Sequence, residues 1–289
     1  MQKLLKYQDE RGLFPTIGLK ESSTRLLDSV LLHTFVLEYL LDHHPEEEPG
    51  AIQKGIDFLV SQAIDEKGIY VWQWLKNPQN EEDYRHPDTD DTMRARLVIE
   101  KALQRKFSVP EEFKHFDYEA FLRPLMADDG SIRTYVRGCH SGRCPITNTN
   151  ILYALTSIGG HEEIRHRIKG YLEGVADHDS FGPEIFMEKS RYYTSLLFPI
   201  YVLSKTIVTD SDLFSAEEKQ RVLECARRVT PKNTLERAWQ SSILRNFGQE
   251  GSSTELSFDL IPIFRSRKLG ESYCSNTATG VFCLESDRL

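Results

Sequence analysis

Apolar positions recur along the chain at helical spacing in two kinds of segment. Longer, nearly continuous apolar stretches open on a small polar cluster: Ser22 to His43, Asp88 to Lys106, Thr147 to Ile158, Ser190 to Lys205 and Ser275 to Glu285. Between them lie shorter stretches with a one-sided apolar stripe: Ala51 to Ala63, Tyr118 to Met126, Glu162 to Gly174, Ala216 to Arg228 and Thr234 to Asn246. Polar openings supply oxygens for the free N–H groups of a first helical turn. A helix apolar on all sides is buried, and one with a stripe faces water on its other side. The alternation predicts an all-α fold, an α/α toroid of about five to six hairpins, with the first set inside and the second outside. One domain spanning 1–289 is expected.

A degenerate repeat supports this arrangement. Leu4-Leu5 is followed by Gln8, a polar turn, Gly12 and Phe14. Phe58-Leu59 is followed by Gln62, Gly68 and Tyr70, and Phe121-Leu122 by Met126 in the glutamine's place and then Gly130. Weaker echoes run from Tyr171-Leu172 to Gly182 and from Ile243-Leu244 to Gly251. The period is roughly 50 to 70 residues, the scale of a two-helix unit with its loop. Such turns would equally serve a helical scaffold that carries no chemistry.

Composition excludes some functions. With 39% hydrophobic and 28% charged residues the chain is expected to fold. A formal net charge of -8 and the lack of a basic stripe argue against a nucleic-acid partner. Leu26 to Leu41 and Leu196 to Leu203 are broken by polar residues and fall short of the roughly 20 a membrane span needs. No secretory signal is read at the start, and five scattered cysteines predict no disulfide framework. A cytoplasmic protein is expected, with transient association at a membrane surface if its substrate is greasy.

One segment is richer than its position requires. Asp88-Thr89-Asp90-Asp91-Thr92 stands where an inner helix begins, and Asp and Thr there satisfy N–H groups and complement the helix dipole. A cap needs one such side chain; three aspartates in four residues also suit an acid cluster, because crowded carboxyls cannot all ionise.

This run matches the Asp-x-Asp-Asp-Thr motif of class II, protonation-initiated terpene cyclases, and the Gln/Gly/aromatic turns resemble the repeats of squalene-hopene cyclases. The resemblance implies an α-barrel in which Asp90 donates a proton to an alkene, with Asp88, Asp91 and Thr92 tuning and anchoring it. Aligned repeats set Thr147 to Asn150 beside the acid run, so Asn148 or Asn150 can hydrogen-bond the aspartates. His140 is a candidate to orient or reprotonate the acid. Aromatic faces steady a carbocation without attacking it, and the candidates are Tyr70, Trp72, Trp74, Tyr135, Tyr153, Tyr192, Tyr193 and Phe198. Core packing is the competing role for each.

The length resembles single-barrel members of the family, which cyclise a geranylgeranyl chain carried on dihydroxybenzoate. That implies a polyprenyl aromatic acid as substrate, a membrane prenyltransferase upstream, and Arg137 or Arg143 for the carboxylate. No cofactor or metal is expected. A metal-dependent class I site is disfavoured because Thr92-Met93-Arg94 follows Asp90-Asp91. Cys139-His140 with Cys144 only partly matches the zinc site of prenyltransferases. A non-catalytic toroid binding a lipid or a protein, and a cyclase of linear prenyl diphosphates, stay open.

Overall fold

In the computed structural model, residues 2–20, 23–74, 86–137, 142–176, 194–252, 254–266 and 271–287 are described. The apolar run after Ser22 divides in two. Thr16–Lys20 (β1) and Ser23–Leu27 (β2) pair as an antiparallel hairpin, and the helix α1 begins only at Val30 and runs to His43. Ser29 is extended (φ -100, ψ 123), and the guanidinium of Arg11 holds the neighbouring Asp28 at 2.7 and 2.9 Å. One helix over Ser22 to His43 is therefore corrected to strand, break and helix.

The other elements follow the sequence pattern more closely. Pro49–Ser61 (α2) is followed by the hairpin Ile64–Glu66 (β3) and Ile69–Val71 (β4). Thr89–Gln104 (α3), Tyr118–Leu122 (α4), Pro145–Ile158 (α5), Glu162–Ala176 (α6), Leu197–Thr209 (α7), Ala216–Arg228 (α8) and Thr234–Asn246 (α9) come next. Phe264–Ser266 (β5) and Glu271–Cys274 (β6) precede Asn276–Asp287 (α10). The strands β2, β1, β6 and β5 form one antiparallel sheet in that order, with Ile17 opposite Cys274 and Phe264 opposite Tyr273.

Among the described residues six helices close a ring in the order α1, α3, α5, α7, α9, α10 and back to α1. Outside it, α2 packs on α1 and α3, α6 on α5, and α8 on α7 and α9. Thr234–Asn246, whose striped pattern suggests an outer helix, is a member of the ring. Its apolar stripe is used on two sides, Leu235, Ala238, Trp239 and Ile243 all being buried. The toroid read from the sequence is thus present, with two small sheets added to it.

The turn glycines show why the repeat exists. Gly12 has φ +92 and Gly130 φ +83, a region open to glycine at no steric cost. A Cβ on either would lie 2.2 Å from a carbonyl oxygen of an outer helix, Lys54 O of α2 for Gly12 and Arg167 O of α6 for Gly130. Gln8 completes the first turn, donating from Nε2 to Gly12 O and Ala51 O. Each turn is therefore a backbone-to-backbone seam between hairpins.

The ring helices point the same way. The Val30 N–H donates to Trp74 O and the Asp88 N–H to Trp72 O, so the segment 72–74 that follows β4 lies across the heads of α1 and α3. Thr194, before α7, is bonded to Pro262 and Ile263, and Tyr273, before α10, meets Trp74 edge-on at 4.3 Å. Further along the ring helices Glu38, Lys101, Tyr153, Lys205 and Glu285, from α1, α3, α5, α7 and α10, form one polar network. The acid run is at the end that carries the sheet.

Candidate active site

Local chemistry fixes the head of α3. Asp88 is extended (φ -103, ψ 136) and its carboxylate accepts the Asp90 N–H at 2.8 Å. Thr89 is tied to the loop before α5, its N–H donating to Thr134 O and its hydroxyl to Arg133 O, both at 2.8 Å. The Thr92 hydroxyl accepts the Trp72 N–H at 3.0 Å and donates to Asp88 O at 2.8 Å. The two threonines are therefore ties between strand, loop and helix. Asp88 is the cap, which leaves Asp90 and Asp91 for other work.

Asp90 is 4% exposed and Asp91 2%. Asn150 on α5 donates from Nδ2 to Asp90 Oδ2 at 3.0 Å. Asn148 is turned away, accepting the Ile132 N–H at 2.7 Å and donating to the carbonyls of Ile132 and Cys144 at 3.0 Å. Of the two asparagines read as possible partners, Asn150 reaches an aspartate and Asn148 pins a loop.

The electrostatics follow from crowding. Burial pushes the Asp88 carboxyl well above the usual carboxylate range, Asp90 adds to this, and the N–H groups of Asp90 and Asp91 oppose it. Burial also pushes Asp91 well up, reinforced by Asp88 and Asp90. Asp91 Oδ2 accepts no hydrogen bond among the described residues. The cluster can therefore hold protons at pH values where an exposed aspartate has lost them.

The aromatic candidates separate into groups. Trp72 is fully buried with its indole donating to Leu59 O, and Tyr70 lies against Phe113 at 4.4 Å, in the layer outside α3. Trp74 and Tyr273 stand together at the sheet end, and Tyr135 is bridged to Asp88 through its backbone. Tyr153 donates its hydroxyl to Glu38 in the polar network. Phe198 meets Phe35 at 5.7 Å and Trp239 at 5.4 Å, and Phe282 packs on Phe35 and Trp239 at 5.5 and 5.4 Å. Phe35, Trp239 and Phe282 escape sequence reasoning; the inner-ring assignment of Ser22 to His43 and Ser275 to Glu285 was the available signal for two of them.

Arg137 and Arg143 are exposed, at 56% and 42%, and paired with Glu66 and Asp129 respectively. Cys144 is buried at the head of α5. His140, Cys139, Tyr192 and Tyr193 lie outside the described residues. Among the described residues no group of three or more His, Cys, Asp and Glu side chains could hold a metal, and no helix is long and apolar enough to cross a membrane.

This architecture is similar to that of the type II terpene cyclase MstE from Scytonema, with a TM-score of 0.57 and 13% identity over 84% of this chain and 69% of that one. It is also similar to ent-copalyl diphosphate synthase from Streptomyces platensis, at 0.58 and 14% over 89% of this chain and 49%, about half, of that one. A novel alpha-amylase from Clostridium perfringens matches at 0.58 and 10% identity, over 99% and 96% of the two chains. No protein-family model matches the chain, and no curated relative matches it in sequence. At such identities the likeness establishes the helical toroid alone. A fold shared by cyclases and an amylase leaves function to the side chains.

Proposed function

We propose that the chain is a class II terpene cyclase in which Asp90 protonates the terminal alkene of a polyprene. The observation that carries this reading is a buried carboxyl, Asp90, held by Asn150 at the head of a ring helix between two further carboxyls, Asp88 and Asp91. The amylase likeness offers no comparable reason for this constellation.

In the reaction the Asp90 O–H bond breaks and a C–H bond forms with the alkene π pair, leaving a tertiary cation and an aspartate. Internal alkenes attack in turn, each C–C bond passing the charge along the chain. Loss of a proton from the last cation ends the sequence, so the net change is an isomerisation. Asn150 and the first-turn N–H groups stabilise the aspartate that remains. A preorganised ring of aromatic and aliphatic side chains folds the polyprene and excludes water. The polyprene we assign is one carried on an aromatic acid, of the geranylgeranyl dihydroxybenzoate kind. That finer assignment is supported by the motif's resemblance to single-barrel cyclases; Arg137 and Arg143, the arginines expected for the carboxylate, are exposed and would have to exchange Glu66 and Asp129 for it.

The test is incubation with geranylgeranylated dihydroxybenzoate, and separately with geranylgeranyl diphosphate, in the presence of chelator, comparing the protein with Asp90→Asn. Cyclised product from the aromatic acid that disappears in Asp90→Asn is the expected result. Product from the diphosphate alone removes the assigned head group. Equal turnover by Asp90→Asn removes the assigned acid.

A further inference from the structure

The helix that presents Asp90 carries a second buried ionisable group that the motif does not ask for. Arg94 stands four residues after Asp90, on the same face and about 6 Å further along the axis. It is 1% exposed. Its Nη2 donates to Glu38 Oε2 at 2.6 Å, its guanidinium lies 4.1 Å from the Phe35 ring centre, and its Nε has no hydrogen bond among the described residues. Burying an arginine this deeply costs several kcal/mol unless its charge is used.

Glu38 does not neutralise Arg94 alone. The same carboxylate also receives Lys101 Nζ at 3.2 Å, Lys205 Nζ at 3.7 Å and the Tyr153 hydroxyl. Lys101 and Lys205 extend outward to Asp42 and Glu285. Arg94, Lys101 and Lys205 therefore all meet Glu38, and of the three Arg94 is the one that lies a single turn from the acid. Among the groups that act on Asp90 are Asp88 and Asp91 on its own turn, Arg94 one turn below, Cys144 at the head of α5 and Asn150 on α5. Arg94 is the one cation nearest to it in sequence.

We propose that Arg94, anchored by Glu38 and spread over Phe35, forms a cationic floor one turn beneath Asp90 that stabilises the aspartate left after proton delivery, making Arg94 a positioning residue for the acid. Asp90 and Arg94 feel each other's charge. The floor lets a buried carboxyl with two carboxyl neighbours still give up its proton. The same charge repels the newly formed carbocation and favours its passage along the chain, away from the floor. This inference rests on the cyclase reading for its catalytic meaning, but its electrostatic content does not.

The test reads the acid directly. Infrared difference spectra of the protonated-carboxyl stretch, with Asp90→Asn subtracted, give the midpoint at which Asp90 loses its proton, whether or not any substrate turns over. In Arg94→Gln the midpoint rises by about one pH unit or more, the size expected when a neighbouring opposite charge is removed. Arg94→Lys restores most of it. Turnover of Arg94→Gln falls roughly tenfold per unit while its alkaline limb moves to higher pH, a combination that lost packing would not produce. Glu38 keeps Lys101, Lys205 and Tyr153 in this variant. Should Arg94→Gln not fold, Lys205→Gln removes a charge from the same cluster near its solvent end and raises the midpoint in the same direction. An unmoved midpoint in the folded variants overturns the proposal. A midpoint that moves with Arg94 in a protein that cyclises no polyprene sustains the floor and overturns the cyclase reading instead.

Discussion

Asn150 and Asp90 lie 60 residues apart and meet across two ring helices, Nδ2 to Oδ2 at 3.0 Å. A donated N–H stabilises the ionised acid more than the neutral one, so its value is greatest once the proton has left. Asn150→Leu is expected to keep the fold and lower kcat roughly 10- to 100-fold, the worth of one hydrogen bond to a charged group. Steady-state turnover beside a thermal melt checks this. Unchanged kcat would make the contact incidental.

Asp90→Asn removes the proton donor while keeping shape and the ability to hydrogen-bond. General acids contribute roughly 10²- to 10⁴-fold, so turnover should drop by at least the lower figure with little change in KM. Single-turnover measurement at saturating substrate separates this from a binding defect, which would raise KM instead.

Much of this site is legible in the sequence. The Asp88 to Thr92 run announces a helix head, and the aligned repeats set Asn150 beside it because each repeat is one hairpin laid against the next. Gly12 and Gly130 are legible for the same reason, each marking the seam where a turn meets an outer helix. What escapes is what depends on distant partners. β1 pairs with β6 across more than half of the chain, and no local pattern near Thr16 or Ser272 announces a partner so far away. The run from Leu26 to Leu41 is apolar on both sides of Asp28-Ser29, and the segment ahead of that break is too short for periodicity to tell strand from helix. Arg94 reads as an obstacle to a metal, and only the positions of Glu38 and Phe35 show it as a buried ion pair. Thr234–Asn246 reads as an outer helix because its stripe is narrow, although the ring needs it.

The turn glycines allow a graded test. At Gly12 or Gly130 an alanine Cβ would meet a backbone carbonyl at 2.2 Å, so the hairpin seam must open as well as the left-handed backbone be strained. A loss of about 3 kcal/mol or more is expected for Gly12→Ala and Gly130→Ala. Gly68 shares the positive φ, at +86, but has open space around it. Gly68→Ala should cost about 1 to 2 kcal/mol. Urea melts of the three variants check the order, and equal losses would contradict the seam.

The two buried carboxyls Asp91 and Glu38 should give stability opposite dependences on pH. Burial, Asp88 and Asp90 raise Asp91, so the folded state binds its proton more tightly than the unfolded chain does. The favourable contribution is then full below the unfolded aspartate value, about 3.9, and is lost as pH rises through the folded one. Glu38 is the reverse: burial would raise it, but Arg94, Lys205 and Lys101, with the Tyr153 hydroxyl, outweigh burial and hold it well below the usual range. Its contribution is present above the unfolded glutamate value, about 4.3, and is lost as pH falls toward the folded one. Asp91→Asn should therefore raise Tm by a few degrees at neutral pH and have little effect near pH 3. Glu38→Gln, which leaves buried cations short of a partner, should cost about 3 to 5 kcal/mol at neutral pH and progressively less in acid. Calorimetric melts of the two variants across this range check both slopes. A Tm difference for Asp91→Asn that does not shrink in acid would show that Asp91 is not a carboxyl kept protonated by its surroundings, and would weaken the reading of its neighbour Asp90 as an acid.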